Sequence, residues 1–460
     1  MRSRATLAWG SYVLVAGGLA AYAVVMWLVA LMARASVLYG EGAVANAARL
    51  ARDGVAYLDV DAQRFVDANY PPLYLHAASV GDAFVTGRVV SILSTLSVAA
   101  MILLSARSAG RLAAAGLAAG WLALAPVMVW GPAVKPDLLA LALTAAGVVT
   151  LDRRRDLAAV AGFALLFAGF AKPTAFLPAL ALAGWLARAD RPALARFVFG
   201  AAVAIVAAAV TVYLDSVPDV WRHVVTWNAL SWSLEQWLPL VFLAVIVVGV
   251  PALVAIFAGG VRGARAAYVV GALGILIAGG REGATINYLL DLTVAITLSI
   301  AAIAPSLRAS ALIPLVLLAQ LVVGTLVLDP LRVVPGRVPT TGAWSDPLPG
   351  GASIAFHFSM DGRYLAEDAG LLARTGIAPV VDDLFLWSRL VERGIIDADP
   401  IISQIRDGRI DSVISEVDLE HLDAAPAFER QRWAGILVRA VLDRYRLRQH
   451  IGQLWIYEPR

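Results

Sequence analysis

Trp9–Ala33 reads WGSYVLVAGGLAAYAVVMWLVALMA and is apolar apart from Ser11. About 20 such residues in a helix cross the roughly 30 Å hydrocarbon core of a bilayer. The run exceeds the roughly 7–15 apolar residues of a signal peptide, so it predicts a retained membrane helix. A small-residue site at Ala33–Ala35 leaves cleavage as the alternative. Arg2 and Arg4 precede the run and favour a cytoplasmic N-terminus.

Composition extends this interpretation to most of the chain. Of 460 residues, 60% are hydrophobic and 15% are charged, whereas a soluble domain carries about 25% charged residues. The sequence therefore predicts an all-α polytopic membrane protein with about eleven transmembrane helices. Ten further apolar segments follow the first, at about 85–106, 112–130, 138–151, 157–171, 175–187, 197–214, 238–258, 266–280, 289–304 and 311–328.

Arginine marks one side of the predicted membrane region. Alternate loops carry it, as in Asp152–Asp156 (DRRRD), Arg188–Arg196 and Arg262–Arg265, while the loops between them carry little positive charge. This positive-inside bias predicts a cytoplasmic N-terminus. An odd number of spans then places the C-terminal segment outside the cytoplasm. The arginines thus indicate membrane orientation rather than nucleic-acid binding. The Arg- and Ala-rich, lysine-poor composition is typical of the coding bias of a high-GC bacterium. We therefore expect a multi-pass protein of the bacterial inner membrane.

Three regions are predicted along the chain. Residues 1–328 form a transmembrane region whose first outer loop, 34–84, is long. Residues 329–351 form a linker rich in proline and glycine. Residues 352–460 have the composition of a small extracytoplasmic α/β domain. Its predicted strands are IAFHF and DSVISEV, and its predicted helices are DDLFLWSRLVERG and FERQRWAGILVRAVLDRY.

The first outer loop contains an acid directly before a short helix. Glu41 lies between two glycines, and Gly42–Asp53 has the spacing of an amphipathic helix on a membrane surface. NYPPLY, Asn69–Tyr74, then predicts an extended bend at interfacial depth. An acid in this position could be a solvated charge or the base that a hydroxyl nucleophile needs.

Lysine is rare, which makes its positions informative. The chain has only Lys135 and Lys172, both at predicted outward helix ends, and Arg281 is a third cation at the same depth. Such cations could bind a phosphate at the membrane surface or extend to the interface as ordinary snorkelling side chains. Asp137 opens a predicted span, where an acid could cap the helix or take part in chemistry.

The order of these features resembles the GT-C-fold glycosyltransferases that use polyprenyl-phosphate sugars. That group includes the protein O-mannosyltransferases, the lipid A aminoarabinose transferase and the rhizobial lipopolysaccharide galacturonosyltransferases. The likeness covers nearly the whole chain. It is carried by the acid and surface helix after the first span, by NYPPLY, KPD (135–137), FAKPTA (170–175) and NYLLDL (287–292), and by YLAEDAGLLARTGIAPVVDDLFLWSRLVERG (364–394).

The resemblance implies a GT-C-like fold and transfer of a sugar from a polyprenyl-phosphate donor to a hydroxyl of an envelope glycan, a glycolipid or lipid A. It implies no nucleic-acid partner and a monomer. It assigns catalytic roles to Glu41 and Asp137, donor phosphate binding to Lys135, Lys172 and Arg281, and substrate binding to Asn69, Tyr70, Tyr74 and Tyr288.

The chain departs from the pattern of the group at one position. The group commonly carries adjacent Asp and Glu in the first outer loop, whereas this chain has Gly40 and Glu41. The departure leaves open whether a divalent metal ion, Mg²⁺ or Mn²⁺, takes part. Two other classes of protein remain as alternatives, a lipid-sugar flippase or transporter and a degenerate relative that serves as an assembly subunit.

Overall fold

The computed structural model describes residues 2–33, 36–58, 61–214, 219–307, 310–328, 359–373, 375–452 and 454–460. The predicted linker, 329–351, and the predicted strand IAFHF, 354–358, lie outside these residues. What is described is mostly helical up to residue 328 and mixed α/β after residue 359.

Each predicted apolar segment is helical in the structure, although two of them are interrupted. Segment 112–130 is divided before Pro126, and segment 238–258 contains a π-helical turn at Val245–Gly249. The helices of the first 328 residues are α1 Arg2–Met32, α2 Glu41–Arg52, α3 Pro72–Ser79, α4 Ala83–Ser105, α5 Arg111–Leu122, α6 Ala125–Trp130, α7 Asp137–Arg153, α8 Ala158–Gly169, α9 Phe176–Ala189, α10 Arg191–Leu214, α11 Leu234–Ala244, α12 Val250–Phe257, α13 Gly263–Ala278, α14 Leu290–Leu307 and α15 Leu312–Leu328.

Five helical segments are long and apolar enough to cross a membrane, as judged within the described ranges. They lie at Arg4–Met32, Ala83–Ser105, Arg191–Val210, Leu234–Phe257 and Ile286–Pro305. The chain is therefore a membrane protein. The other predicted spans are shorter helices, such as α8 with 12 residues, about 18 Å long. Eleven crossings thus stay a prediction, as does their orientation.

Close helix packing holds the short helices together. A methyl group added at Gly162 of α8 would lie 2.1 Å from the Phe197 carbonyl oxygen, and one at Gly200 of α10 would lie 1.8 Å from the Ala159 carbonyl oxygen. Glycine is therefore required for α8 and α10 to approach this closely. Small residues at the interface are the usual basis of helix association in membranes, because burial away from water gives little driving force there.

The arginine-rich turns gather at one end of these helices. Helix α7 has 17 residues and is about 25 Å long; it begins at Asp137 and ends at Arg153, whose guanidinium donates to the Leu104 carbonyl oxygen. Arg265 pairs with Asp152 at the same end, with 2.7 Å between nitrogen and oxygen. The first residues of α7, and the loop before them, therefore lie at the other end.

A four-stranded sheet organises the C-terminal region, defined here as residues 359–460. Its strands are β1 Tyr364–Ala366, β2 Ser412–Ser415, β3 Tyr445–Ile451 and β4 Leu454–Pro459. The order is β1-β2-β4-β3; β1 is parallel to β2, and the other two pairs are antiparallel. The helices of this region are α16 Gly370–Ala373, α17 Leu384–Glu392, α18 Asp399–Arg406, α19 Ala427–Arg430 and α20 Gly435–Arg444.

Of the three predicted C-terminal elements that the structure describes, two are present and the third is divided near residue 432. DSVISEV contains β2, and DDLFLWSRLVERG contains α17, but FERQRWAGILVRAVLDRY divides into α19 and α20. The chain turns between them because the side chains of Arg432 and Trp433 both bond to buried Glu367, at 2.9 and 3.0 Å. The Ala434 amide also donates to the Ser388 hydroxyl at 3.0 Å. Strands β3 and β4 were not predicted.

The C-terminal region is joined to the first loop by polar contacts. Phe65 pairs with Val381 as a parallel bridge, and the Asn46 amide of α2 donates to Asp382 at 3.0 Å. A methyl group added at Gly42 would lie 2.0 Å from the Gly370 nitrogen, so α2 and α16 touch backbone to backbone. These contacts place the C-terminal region over the end of the helices where α7 begins.

Candidate active site

A cavity of about 420 Å³ lies between the helical region and the C-terminal region, within the usual size range for a small-ligand site. One wall comes from the helical region and its loops, including Asn69, Tyr70, Trp130, Lys135 and Arg281, and the other comes from the C-terminal region, including Asp383, Phe385, Phe428 and Arg432. The cavity thus has cations and carboxylates on facing elements.

Lys135 presents its ammonium to this cavity. Lys135 is half-buried in the loop between α6 and α7, and its side-chain ammonium donates no hydrogen bond to any residue that the structure describes. The ammonium lies directly over Gly40, where an added methyl group would come within 2.7 Å of Nζ. Gly40 has φ 76°. Gly40 therefore adopts a left-handed backbone conformation, and its lack of a side chain leaves room for the Lys135 ammonium.

Replacing Gly40 with alanine is expected to displace the Lys135 ammonium. The new methyl group would clash with Nζ, and a side chain at positive φ adds strain of about 1–2 kcal/mol. Gly54→Ala is the matched control, because Gly54 has φ 71° with no other atom within 4 Å of the methyl position. If the cavity binds a polyprenyl phosphate, as the resemblance implies, we expect Gly40→Ala to weaken that binding in a titration and Gly54→Ala to leave it unchanged. Equal affinities for the two variants would show that the ammonium does not bind the phosphate.

Arg281 is the second cation of the cavity. One of its terminal nitrogens donates to the Asn228 carbonyl oxygen at 2.6 Å, and the other donates to the Tyr288 hydroxyl at 3.1 Å. No carboxylate among the described residues lies within ion-pair distance of it. Its orientation is therefore fixed by neutral partners, while its charge remains available to a ligand.

Lys172 and Asp137 form an ion pair outside the cavity lining. Their charged atoms are 2.6 Å apart, and the Asn287 amide also donates to Asp137 at 2.7 Å. The Lys172 ammonium lies 4.7 Å from the centre of the Tyr288 ring. Because Tyr288 accepts from Arg281, the pair supports the wall that carries Arg281. Its charges are mutually neutralised, unlike those of Lys135 and Arg281.

Glu41 is fully buried, and three donors surround its carboxylate. Oε1 accepts from the Val134 amide at 2.7 Å; Oε2 accepts from the Val37 amide at 2.7 Å and from the Arg88 guanidinium at 3.0 Å. Arg88 also donates to the Ala30 and Ala33 carbonyl oxygens at the end of α1. Glu41 therefore ties α1, α4 and the residue before Lys135 together, and it is not part of the cavity lining.

Some of the remaining residues that the resemblance indicated line the cavity, and others do not. Asn69 and Tyr70 line the cavity. Tyr74 is buried below it, where its hydroxyl donates to the Gly87 carbonyl oxygen at 3.1 Å. Of the nine candidates, Lys135, Arg281, Asn69 and Tyr70 therefore reach the cavity directly; Tyr288, Lys172 and Asp137 lie behind its wall. The roles assigned to these residues stay predictions.

Sequence reasoning did not identify the wall from the C-terminal region. Phe428 packs against Tyr39 and Phe385, with ring centres 5.8 and 5.4 Å apart. Arg432 lies over the Tyr39 ring at 4.0 Å and bonds to Glu367 and Glu416, both at 2.9 Å. Arg432 is thus neutralised, and the aromatic rings offer an apolar surface to a ligand.

Burial affects the acids and phenols of this wall. It raises the pKa of Asp383, although the Leu386 amide, Lys135 and the Tyr39 hydroxyl oppose the shift. Burial, followed by the charge of Asp383, also raises the pKa of Tyr39 well above its ordinary value. Tyr39 therefore remains protonated and donates to Asp383 at 3.3 Å.

The described residues contain no group of three or more His, Cys, Asp or Glu side chains arranged to hold a metal ion. We derive no chemical step through a divalent cation, and its use stays a prediction.

The fold and cavity define a membrane protein whose site lies at the ends of apolar helices beneath a mixed α/β region. Two solved structures share this fold: ArnT from Cupriavidus metallidurans in the apo state, and the same protein bound to undecaprenyl phosphate. Each has a TM-score of 0.59 and 15% sequence identity, and each match covers 95% of this chain; 96% and 97% of the ArnT chains are covered.

ArnT is the lipid A aminoarabinose transferase, one of the GT-C-fold proteins that the sequence resembles. The likeness therefore confirms the predicted GT-C-like fold. No family model matches the chain, and no curated protein matches its sequence.

Proposed function

We propose that this chain is an integral-membrane glycosyltransferase that uses a polyprenyl-phosphate sugar. The observation that carries the proposal is the pair of cavity cations, Lys135 and Arg281, which have no ion-pair partner among the described residues. A polyprenyl phosphate has its anionic group at the headgroup layer and its tail among apolar helices. The fold of a protein that has been solved with undecaprenyl phosphate supports this ligand class.

The two cations suit the charge that develops during transfer. In the donor, the phosphate links two groups and carries one negative charge; after transfer, the released polyprenyl phosphate carries up to two. Fixed cations stabilise that increase without rearranging during the reaction. Lys135 supplies a compact charge from one side, and Arg281 supplies a planar donor from the other.

We place the cavity at the outer face of a bacterial inner membrane. The arginine-rich turns, which favour the cytoplasm, gather at the opposite end of α7. The acceptor would be a hydroxyl of an envelope glycan, a glycolipid or lipid A. It would approach from the side of the C-terminal region. There Phe385 and Phe428 present an apolar surface, and carboxylates can accept hydrogen bonds from its hydroxyl groups.

A transfer assay tests this proposal. The full chain, purified in lipid, is incubated with radiolabelled undecaprenyl-phosphate monosaccharides, namely a neutral hexose, a uronic acid and an amino sugar. Envelope lipids and glycans from the host serve as acceptor. We expect label to leave one of these lipids and to become covalently attached to the acceptor. A flippase would move the label between leaflets while it stays lipid-linked, and an assembly subunit would leave it in place; either result would contradict the proposal.

A further inference from the structure

Four carboxylates line the cavity within the described ranges: Glu282, Asp383, Glu416 and Glu429. Glu416 and Glu429 lie 2.9 and 3.8 Å from the Arg432 guanidinium, so both are already paired. Glu282 is half-exposed on a loop. Asp383 is 8% exposed, and its charge interacts with that of Lys135. Among these four side chains, Asp383 is therefore the buried carboxylate whose charge interacts with the Lys135 ammonium.

The two oxygens of Asp383 have different surroundings. Oδ1 accepts from the Leu386 amide at 3.0 Å, which caps the N-terminus of α17, and from the Tyr39 hydroxyl at 3.3 Å. Oδ2 accepts no hydrogen bond from any residue that the structure describes. Capping thus uses one oxygen, and the other remains available in a side chain that lines the cavity.

We propose, on the basis of the proposed function, that Asp383 is the base that accepts the acceptor's proton. The acceptor oxygen forms the new bond to the anomeric carbon of the sugar, and its proton moves to Oδ2 of Asp383. The bond between the anomeric carbon and the phosphate oxygen breaks, and its electron pair leaves with the phosphate. The products are the glycosylated acceptor and polyprenyl phosphate, whose added charge faces Lys135 and Arg281.

The groups around Asp383 suit this role. Lys135, Arg432 and the Tyr39 hydroxyl favour its anionic form, while burial opposes ionisation more strongly and makes the carboxylate a better base. Both carboxylate oxygens of the neighbouring Asp382 already accept hydrogen bonds, one from the Asn46 side chain and one from the Asp67 backbone amide. The C-terminal region would therefore contribute a catalytic residue and not only a cover.

Asp383→Asn tests the proposal without removing the helix cap, because asparagine caps as well as aspartate. With the lipid-linked sugar that supports transfer in the preceding assay, we expect kcat to fall about 10²- to 10⁴-fold. The affinity for undecaprenyl phosphate and the unfolding temperature should not decrease. In the unsubstituted protein, transfer should decline as pH falls through the raised pKa of Asp383, and Asp383→Glu should retain activity with a shifted acid limb.

Two control variants separate the possible outcomes. Asp399→Asn makes the same change at an exposed position of α18 and should transfer sugar at the normal rate. A normal rate for Asp383→Asn, or a loss confined to Glu282→Gln, would overturn the assignment of the base while leaving the proposed function intact. Absence of transfer by the unsubstituted protein would instead overturn the proposed function.

Discussion

Replacement of Glu41 by glutamine is expected to destabilise the protein by about 3–5 kcal/mol, because it removes the carboxylate that forms a buried ion pair with the Arg88 guanidinium. Both side chains are fully buried. Glutamine has one acceptor oxygen and an amide donor, so it cannot satisfy the three donors that face the carboxylate, from Val37, Arg88 and Val134. The measurement is the unfolding temperature of the purified chain in detergent.

Two further variants isolate the ion pair. Asp53→Asn changes an exposed acid at the end of the same helix and should leave the unfolding temperature unchanged. Arg88→Met combined with Glu41→Gln removes both charges and should recover part of the loss. A Glu41→Gln protein with normal stability but no transfer would contradict the structural role and restore Glu41 as the base.

Lys135→Ala is expected to weaken undecaprenyl phosphate binding roughly 10- to 100-fold, since a hydrogen bond to a charged group contributes about 1.5–3 kcal/mol. The effect on kcat/KM should be larger, about 10²- to 10³-fold, because the phosphate gains charge during transfer. Titration with undecaprenyl phosphate and the rate of transfer measure the two effects separately.

Two comparisons show whether position or total charge is responsible. Arg154→Ala removes an exposed cation at the opposite end of α7, where it pairs with Asp156, and it should change neither quantity. Lys172→Ala should act indirectly, by leaving Asp137 unpaired and releasing Tyr288 from the cation beside its ring. Equal losses for Lys135→Ala and Arg154→Ala would mean that the ammonium acts only through total charge.

The helical part of the fold was predictable because apolar runs are local. Each run became a helix, and charged turns such as DRRRD mark where they end. Interruptions were harder to predict. The break before Pro126 and the π-helical turn before Pro251 lie within uniformly apolar sequence, where hydropathy carries no signal about backbone hydrogen bonds. The predicted helix 428–445 divides because Arg432 and Trp433 bond to Glu367, about 65 residues earlier in sequence.

The site was predictable only where a residue type was unusual for its place. The two lysines and Arg281 stood out, but sequence spacing could not tell that Asp137 neutralises Lys172 while Lys135 has no ion-pair partner among the described residues. Glu41 stood out for the same reason, and its contact with Val134 spans 93 positions. Asp383 was not identified because an acid before an amphipathic helix is indistinguishable from an ordinary cap.

A structure of the full chain with undecaprenyl phosphate would show directly whether Lys135 and Arg281 bind the phosphate. We expect phosphate density in the cavity, with its oxygens about 2.7–2.9 Å from the Lys135 ammonium and the Arg281 guanidinium, and with the lipid tail running between apolar helices. Phosphate density at the arginine-rich end of α7, or in the cavity but out of reach of both cations, would contradict this expectation.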